Sequence, residues 1–251
     1  MTTAVTTSKR SDTVALIRDI GIIPAVRVSS SEEAHFAAEA VASGGIPIVE
    51  ITLTVTGAVE LIAHLVHHHP KMLVGAGTVL NTETAGKCID AGAGFITSPA
   101  LNRQVVEYVA KRDVAVLPGA LTPTEVVEAH ESGADFVKVF PSGCVGGERY
   151  IHSIRVALPQ IPLIAAGGVN QQTAGDYILA GAAAIGVGGE LIPAEAIARR
   201  QSKRIRELSL RFTRFVKAAR EQIELAKPPV APGKLKTIEE CEKQEMGTSG
   251  R

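Results

Sequence analysis

Phe136-Val137-Lys138-Val139-Phe140-Pro141-Ser142 sets a lysine at the centre of an apolar, β-branched and aromatic run. Gly133-Ala134-Asp135 precedes the run and Pro141-Ser142-Gly143 closes it, so it reads as a buried strand between turns. Side chains alternate along a strand. Phe136, Lys138 and Phe140 therefore share one face, and Val137 and Val139 the other. Burial disfavours an ammonium and makes a desolvated lysine a nucleophilic amine nearer neutral pH. An edge strand whose lysine snorkels to solvent would carry the same sequence. Taken alone, the stretch leaves both readings open.

Outward from this stretch the pattern repeats. Strand-like runs recur at 22–28, 46–52, 72–77, 95–98, 115–117, 163–166 and 184–187, each followed by a helical segment. Ser, Thr or Asn stands at several helix starts, and Gly at several helix-to-strand turns. Alternating strands and helices imply a parallel sheet, and eight such units imply a (β/α)8 TIM barrel in one α/β domain. The domain is expected over residues 12–226, with a short helix from Asp12 or Thr13 to Asp19 before it and a long helix at about 194–225 closing it. Residues 1–11 and 227–251 read as flexible tails, the second rich in Pro, Gly and charge.

Composition narrows the function classes. A formal net charge of +0 leaves no electrostatic footprint for nucleic acid or an anionic membrane. No apolar run approaches the roughly 20 residues that span a bilayer. Met1 to Ser8 has no apolar signal core. Cys88, Cys144 and Cys241 show no CxxC spacing, which argues against a disulfide framework or a zinc site and fits a cytoplasmic protein.

Barrel active sites form at the C-terminal ends of the strands. Those ends carry Arg27, Glu50 and Thr52, Gly77-Thr78, Ser98-Pro99, Pro118-Gly119, Lys138, Gly167-Gly168 and Gly188-Gly189. Glu50 lies between Val49 and Ile51, so it shares the barrel interior with Ile48 and Thr52. A carboxylate and an amine aimed into one mouth suit Schiff-base chemistry, with the carboxylate moving protons through carbinolamine, imine and enamine. The bland reading of the same two residues is a buried salt bridge, a weak source of stability. The paired glycines after the seventh and eighth strands suit a phosphate cradled by backbone N–H groups at a helix N-terminus, or simple tight turns. His35, His64, His67, His68, His69, His130 and His152 all fall on helices or helix ends, and no Asp or His ends a strand. No catalytic metal and no cofactor is therefore expected. His67-His68-His69 reads as a solvated helix terminus.

With these residues in place a resemblance is legible. Val49-Glu50-Ile51-Thr52-Leu53-Thr54, Gly75-Ala76-Gly77-Thr78-Val79-Leu80, Ser98-Pro99, Pro118-Gly119, Phe136-Val137-Lys138-Val139-Phe140-Pro141, Ala166-Gly167-Gly168-Val169 and Gly186-Val187-Gly188-Gly189 occur in one order. Over about residues 12–222 the chain resembles the class I 2-keto-3-deoxy-6-phosphogluconate / 4-hydroxy-2-oxoglutarate aldolases. The resemblance implies a metal-free homotrimer that releases pyruvate from a small 2-keto acid, plus glyceraldehyde 3-phosphate or glyoxylate. It implies Lys138 as the imine-forming lysine and Glu50 as the proton shuttle. Thr78 would bond near the pyruvyl group, with Thr52, Ser98, Pro99 and Phe140 lining the substrate. Gly167, Gly168, Gly188 and Gly189 would hold the phosphate. Many members carry an arginine where this chain has Thr54, so the carboxylate grip passes to Arg27. Ala166 and Gly189 replace hydroxyl residues common in the family. Two other readings of such a barrel are a sugar-phosphate epimerase-like enzyme and a non-catalytic trimer.

Overall fold

The computed structural model describes residues 10–226. The tail expected at 227–251 lies outside the described residues, as does most of the one expected at 1–11. The chain divides into two units, Met1–Arg220 and Glu221–Arg251, and of the second only residues 221–226 are described.

Nine parallel strands form the sheet: β1 (Ile22–Val26), β2 (Ile48–Thr52), β3 (Leu73–Gly77), β4 (Phe95–Thr97), β5 (Ala115–Leu117), β6 (Gly119–Ala120), β7 (Val137–Val139), β8 (Leu163–Ala166) and β9 (Ala184–Val187). They are ordered β5-β4-β3-β2-β1-β9-β8-β7-β6. The two ends of that order, β5 and β6, are consecutive in the chain and separated only by Pro118. The expected fifth strand, 115–117, is β5 itself; proline has no N–H for the ladder, so Pro118 separates it from the short β6, which was not expected. Pro118 still takes part through its carbonyl, which accepts from the Lys138 N–H at 2.9 Å. The eight expected staves therefore close into a barrel, and the expected sixth strand is β7.

The register explains the interior. Ala25 pairs with Glu50, Glu50 with Gly75, and Gly75 with Phe95, so these four form one row across β1 to β4. The Phe95 ring fills the space in front of Gly75, where an added Cβ would lie 2.3 Å from the ring. Such a clash forces a shift in a packed core, at a typical cost of about 1–3 kcal/mol.

The helices form the outer ring: α1 (Arg10–Ile20), α2 (Ser31–Ser43), α3 (Ala58–His68), α4 (Thr82–Asp90), α5 (Arg103–Lys111), α6 (Pro123–Glu131), α7 (Glu148–Ala157), α8 (Ala174–Leu179), α9 (Ala194–Ala198) and α10 (Ser202–Ala226). Their starts carry the side chains the sequence suggested. Ser30, Asn81 and Asn102 accept from the N–H three residues on. Thr122 and Glu125 form a full capping box with Pro123 in the first turn. Each such cap contributes about 1 kcal/mol.

Two boundaries differ from the sequence reading. The first helix begins at Arg10, whose guanidinium reaches Asp135 at 2.9 Å and the Gly133 carbonyl at 2.8 Å. These ties draw the residues before Asp12 into the helix. The long closing helix is broken between α9 and α10, where Arg200 has φ +50°. Its guanidinium pairs with Glu32 and lies 5.1 Å from the centroid of the Phe36 ring, so contacts to α2 hold the break.

Candidate active site

Lys138 and Glu50 arise far apart in the sequence and meet inside the barrel. The Lys138 Nζ lies 3.3 Å from Glu50 Oε2. Its other side-chain hydrogen-bond partner among the described residues is Thr97 Oγ1 at 3.4 Å, and the Phe140 ring centroid is 5.9 Å away. The Glu50 side chain is 4% exposed and the Lys138 side chain 13%. The carboxylate is thus almost fully buried, while the amine's side chain keeps some exposure to solvent.

Glycines shape the space around this pair. A Cβ on Gly77 would lie 2.1 Å from Glu50 Oε1, so the carboxylate lies flat against the neighbouring strand where only glycine leaves room. Gly119, beside Lys138 in the ladder, has the backbone of Pro99 packed on it, and a Cβ there would meet the Pro99 carbonyl carbon at 2.2 Å. Pro99 is therefore held close to the lysine strand by backbone packing.

The remaining expected residues divide by what their polar groups already do. Thr52 is fully buried, and its hydroxyl donates to the Val26 carbonyl at 3.0 Å while lying 2.8 Å from Thr54 Oγ1. It ties β2 to β1. The Ser98 hydroxyl donates to the Ala100 carbonyl at 2.7 Å and stabilises its own turn. Thr78 is half-buried, with φ +63° and no side-chain hydrogen bond among the described residues. The chain fixes this left-handed residue from both sides: Leu53 N–H donates to the Gly77 carbonyl at 2.8 Å, and Val79 N–H to the Thr97 carbonyl at 3.2 Å. Backbone strain of this kind costs on the order of 1–3 kcal/mol and clusters at functional sites. Arg27 follows β1, is exposed, and makes no ion pair or side-chain hydrogen bond among the described residues. Its planar fork is free for a carboxylate. Cys88 lies outside this group, buried on α4, where burial pushes its thiol up to about 11.

Thr97 was missed by the sequence reading, which chose the neighbouring Ser98. The signal was the alternation itself. Thr97 stands two residues after Phe95, an inward-facing core residue, so its hydroxyl faces the interior where Ser98 cannot. A neutral hydrogen bond contributes about 1 kcal/mol, or roughly a fivefold rate effect. Thr97→Val is expected to slow borohydride trapping of pyruvate by roughly fivefold at unchanged thermal stability. A trapping time course identical to that of the parent would reduce Thr97 to a packing residue.

The two glycine pairs have different physical explanations. Gly167 has φ +80° and Gly168 φ +91°. A Cβ on Gly167 would lie 2.8 Å from Pro141 Cα, and one on Gly168 3.0 Å from Gly143 Cα. The Ser142 hydroxyl donates to the Ala166 carbonyl at 3.0 Å, and Gly143 N–H to the Gly167 carbonyl at 2.8 Å. The close approach of the β7 and β8 turns thus explains this first pair. Nothing comparable constrains the second. A Cβ on Gly189 would meet no atom within 4 Å, and one on Gly188 only the Ala25 carbonyl at 3.9 Å. The expected helix N-terminus does not adjoin either pair. The helix after β8 starts only at Ala174, and the one after β9, at Ala194, spans five residues. Any anion held here would rest on turn N–H groups.

Comparison with known proteins converges on one family. The chain matches the model of the KDPG and KHG aldolase family over residues 14–208. It is 31% identical over 198 residues to the 2-dehydro-3-deoxy-phosphogluconate aldolase of Treponema pallidum (strain Nichols), covering 78% of this chain and 94% of that one. It superposes with a TM-score of 0.73 and 30% identity on the KDPG aldolase of Legionella pneumophila, solved with pyruvate captured as a covalent carbinolamine intermediate, covering 78% of this chain and 96% of that one. A cube-shaped protein cage designed by fusing symmetric oligomeric domains contains a similar chain, with a TM-score of 0.75 and 29% identity over 82% of this chain and 75% of that one.

Proposed function

Because the chain belongs to the KDPG and KHG aldolase family, a family of carbon–carbon lyases, we propose that Lys138 is its imine-forming nucleophile and Glu50 its proton carrier. The chain is a class I aldolase that cleaves a 2-keto-4-hydroxy acid to pyruvate and an aldehyde. The observation that carries the assignment of roles is the 3.3 Å approach of Lys138 Nζ to Glu50 Oε2 inside the barrel. A buried pair of this kind is a poor stabiliser compared with apolar packing. A retained pair at the catalytic end of a barrel is accounted for by chemistry. An epimerase-like barrel has no comparable use for the amine.

The steps follow from the positions. Glu50 takes the ammonium proton of Lys138, and the free amine adds to the C2 ketone of the substrate. Glu50 returns its proton to the carbinolamine hydroxyl, which leaves as water to give a protonated imine and restores the carboxylate. Glu50 then accepts the C4 hydroxyl proton, directly or through one water. The C3–C4 bond breaks, its electron pair moves into the imine, and an aldehyde leaves. The resulting enamine is protonated at C3, and one water hydrolyses the imine to pyruvate and free Lys138. Arg27 holds the C1 carboxylate as a bidentate donor, a role its unpaired guanidinium supports. Thr78, with its free hydroxyl, bonds near the pyruvyl group. Pro99 and Phe140 wall the lysine, while Thr52 and Ser98 act on the site's shape through the bonds their hydroxyls already make.

The substrate is a 2-keto-3-deoxy-6-phospho sugar acid or 4-hydroxy-2-oxoglutarate. A phosphate would rest on backbone N–H groups of the turns at Gly168 and Gly188–Gly189. The lack of steric demand at Gly188 and Gly189 supports this placement, since glycine lets an anion approach the backbone. The assembly is a homotrimer, a reading supported by the oligomeric cage relative. A cytoplasmic location is supported by the free thiols of Cys88 and Cys144.

Pyruvate plus borohydride tests the reading directly. Reduction is expected to add the pyruvyl group irreversibly to one peptide, the one containing Lys138. An adduct on another lysine, or none, would overturn the assignment.

A further inference from the structure

Outside the barrel, α2 and α3 pack side by side and bring three metal-ligating side chains together. His35 and Glu39 stand four residues apart on α2, hence one above the other on one face. His69 is the residue that ends α3. Glu39 divides its carboxylate between the two rings: Oε2 lies 3.8 Å from His35 Nδ1, and Oε1 lies 3.8 Å from His69 Nε2. Neither separation is a hydrogen bond. One donor atom from each residue can be chosen so that all three lie within 4.8 Å of one another.

The cluster departs from the solvated helix terminus expected at His67-His68-His69. The His69 side chain is only 30% exposed and turns toward Glu39. His68 serves its own helix instead, through the His64 carbonyl at 2.9 Å and a stacked contact with the His64 ring. A second observation is independent of the Glu39 distances. The other nitrogen of the same ring, His35 Nε2, beside the Nδ1 that approaches Glu39, is buried and has no hydrogen-bond partner among the described residues. Buried polar atoms in this state are rare and call for an explanation such as an ion or water.

Two imidazoles and one carboxylate, with a fourth position open, are a donor set for borderline divalent cations. Ligand atoms about 2.0–2.1 Å from zinc stand about 3.4 Å apart in a tetrahedron. The observed separations, 3.8 Å to at most 4.8 Å, must contract by roughly 0.4 Å to about 1.4 Å. Glu39 is half exposed and His69 ends its helix, so both can make that adjustment. The His64 ring, with its centroid 5.3 Å from that of His35, is the nearest further imidazole for the fourth position.

We propose that His35, Glu39 and His69 form a binding site for a borderline divalent transition-metal cation, with Zn2+ as the reference ion, which clips α2 to the C-terminal end of α3. The site lies on the outer helices, whereas Glu50 and Lys138 face the barrel interior. It therefore acts on the fold or its response to metal and takes no part in aldol cleavage. The proposal stands independently of the roles given to Lys138 and Glu50.

The test uses the full chain without a histidine tag, stripped with a chelator and titrated with Zn2+ in competition with a chromophoric indicator. One ion per chain is expected. His35→Gln, Glu39→Gln and His69→Gln are each expected to weaken binding by at least tenfold, while His67→Gln and His130→Gln change it less than twofold. Loss of binding only on changing His67, or equal small losses from every histidine variant, would reduce the effect to a histidine-rich surface and overturn the proposal. Co2+ gives a reading that needs no variant. Strong visible absorption from a four- or five-coordinate N/O site is expected on the parent chain. The weak spectrum of fully hydrated Co2+ would overturn the site outright.

Discussion

Lys138→Met abolishes borohydride-trappable pyruvate and lowers kcat by at least about 10^4-fold, equivalent to about 5.4 kcal/mol of transition-state stabilisation, while the barrel still folds. The size follows from the chemistry. Without the imine there is no electron sink for the C3–C4 pair, so no other group in the mouth can replace the amine. The fold is a separate matter. Lys138 sits between Gly119 and Ile164 in the ladder, and the bond from its backbone N–H to the Pro118 carbonyl is independent of the side chain. The change leaves Glu50, 4% exposed, without its cation. Removing one member of a buried pair costs about 3–5 kcal/mol when the other stays charged. Glu50 can avoid that cost by holding a proton. A lowered but cooperative thermal transition is therefore expected. Lys138→Arg separates the two effects, since it keeps the cation and removes the nucleophile. Its melting temperature should approach that of the parent, with trapping still absent. Appreciable pyruvate release by either variant would remove Lys138 from its role.

The distance between sequence and structure is uneven, and its causes are physical. The barrel was legible because parallel strands, buried on both faces, keep near-continuous apolar runs between turn residues. All eight expected strands stand close to where those runs lie. The two-residue β6 was not expected; it continues past Pro118, which cannot donate to the ladder. The break at Arg200 was illegible. No glycine or proline marks it, and the contacts that hold it, Glu32 and Phe36, lie far back in the chain. The same limit governs the site. A strand with one lysine and a strand with one carboxylate can be assigned inward faces from alternation alone. That the two meet at 3.3 Å depends on the stagger of a closed sheet. Thr97 was within reach of alternation, but the adjacent serine drew attention by its place before Pro99. Gly77 marks the reverse case. It was read only as the end of a strand, while its physical purpose is to leave room for Glu50. The histidine, glutamate and histidine of α2 and α3 could not be joined at all, because only the packing of neighbouring helices brings position 69 to position 39.

Glu50→Gln is expected to reduce kcat for aldol cleavage by about 10^2- to 10^3-fold, within the usual range for loss of a general acid–base group. Pyruvate trapping by the same variant should fall by less than about tenfold. The asymmetry is the content of the prediction. Cleavage requires a base to remove the C4 hydroxyl proton as C3–C4 breaks, and Gln cannot accept it. Trapping pyruvate requires only that the Lys138 amine add to a ketone and lose water, steps that solvent protons can serve. The substitution is also gentle on the structure. Gln has the shape of Glu, so it fits the surface left by Gly77, where any wider side chain would collide. Lys138 keeps Thr97 Oγ1 at 3.4 Å and its own exposure to solvent, so its ammonium is not left buried and bare. A purely structural role for Glu50 predicts a different pattern. Misplacement of Lys138 would slow trapping and cleavage together, and an equal loss in both assays would return the pair to a buried salt bridge. Gly77→Ala supplies the geometric counterpart, because its methyl group would push the carboxylate from its place without changing its charge. If Glu50 works by position, this variant should approach Glu50→Gln in cleavage while leaving trapping much less affected.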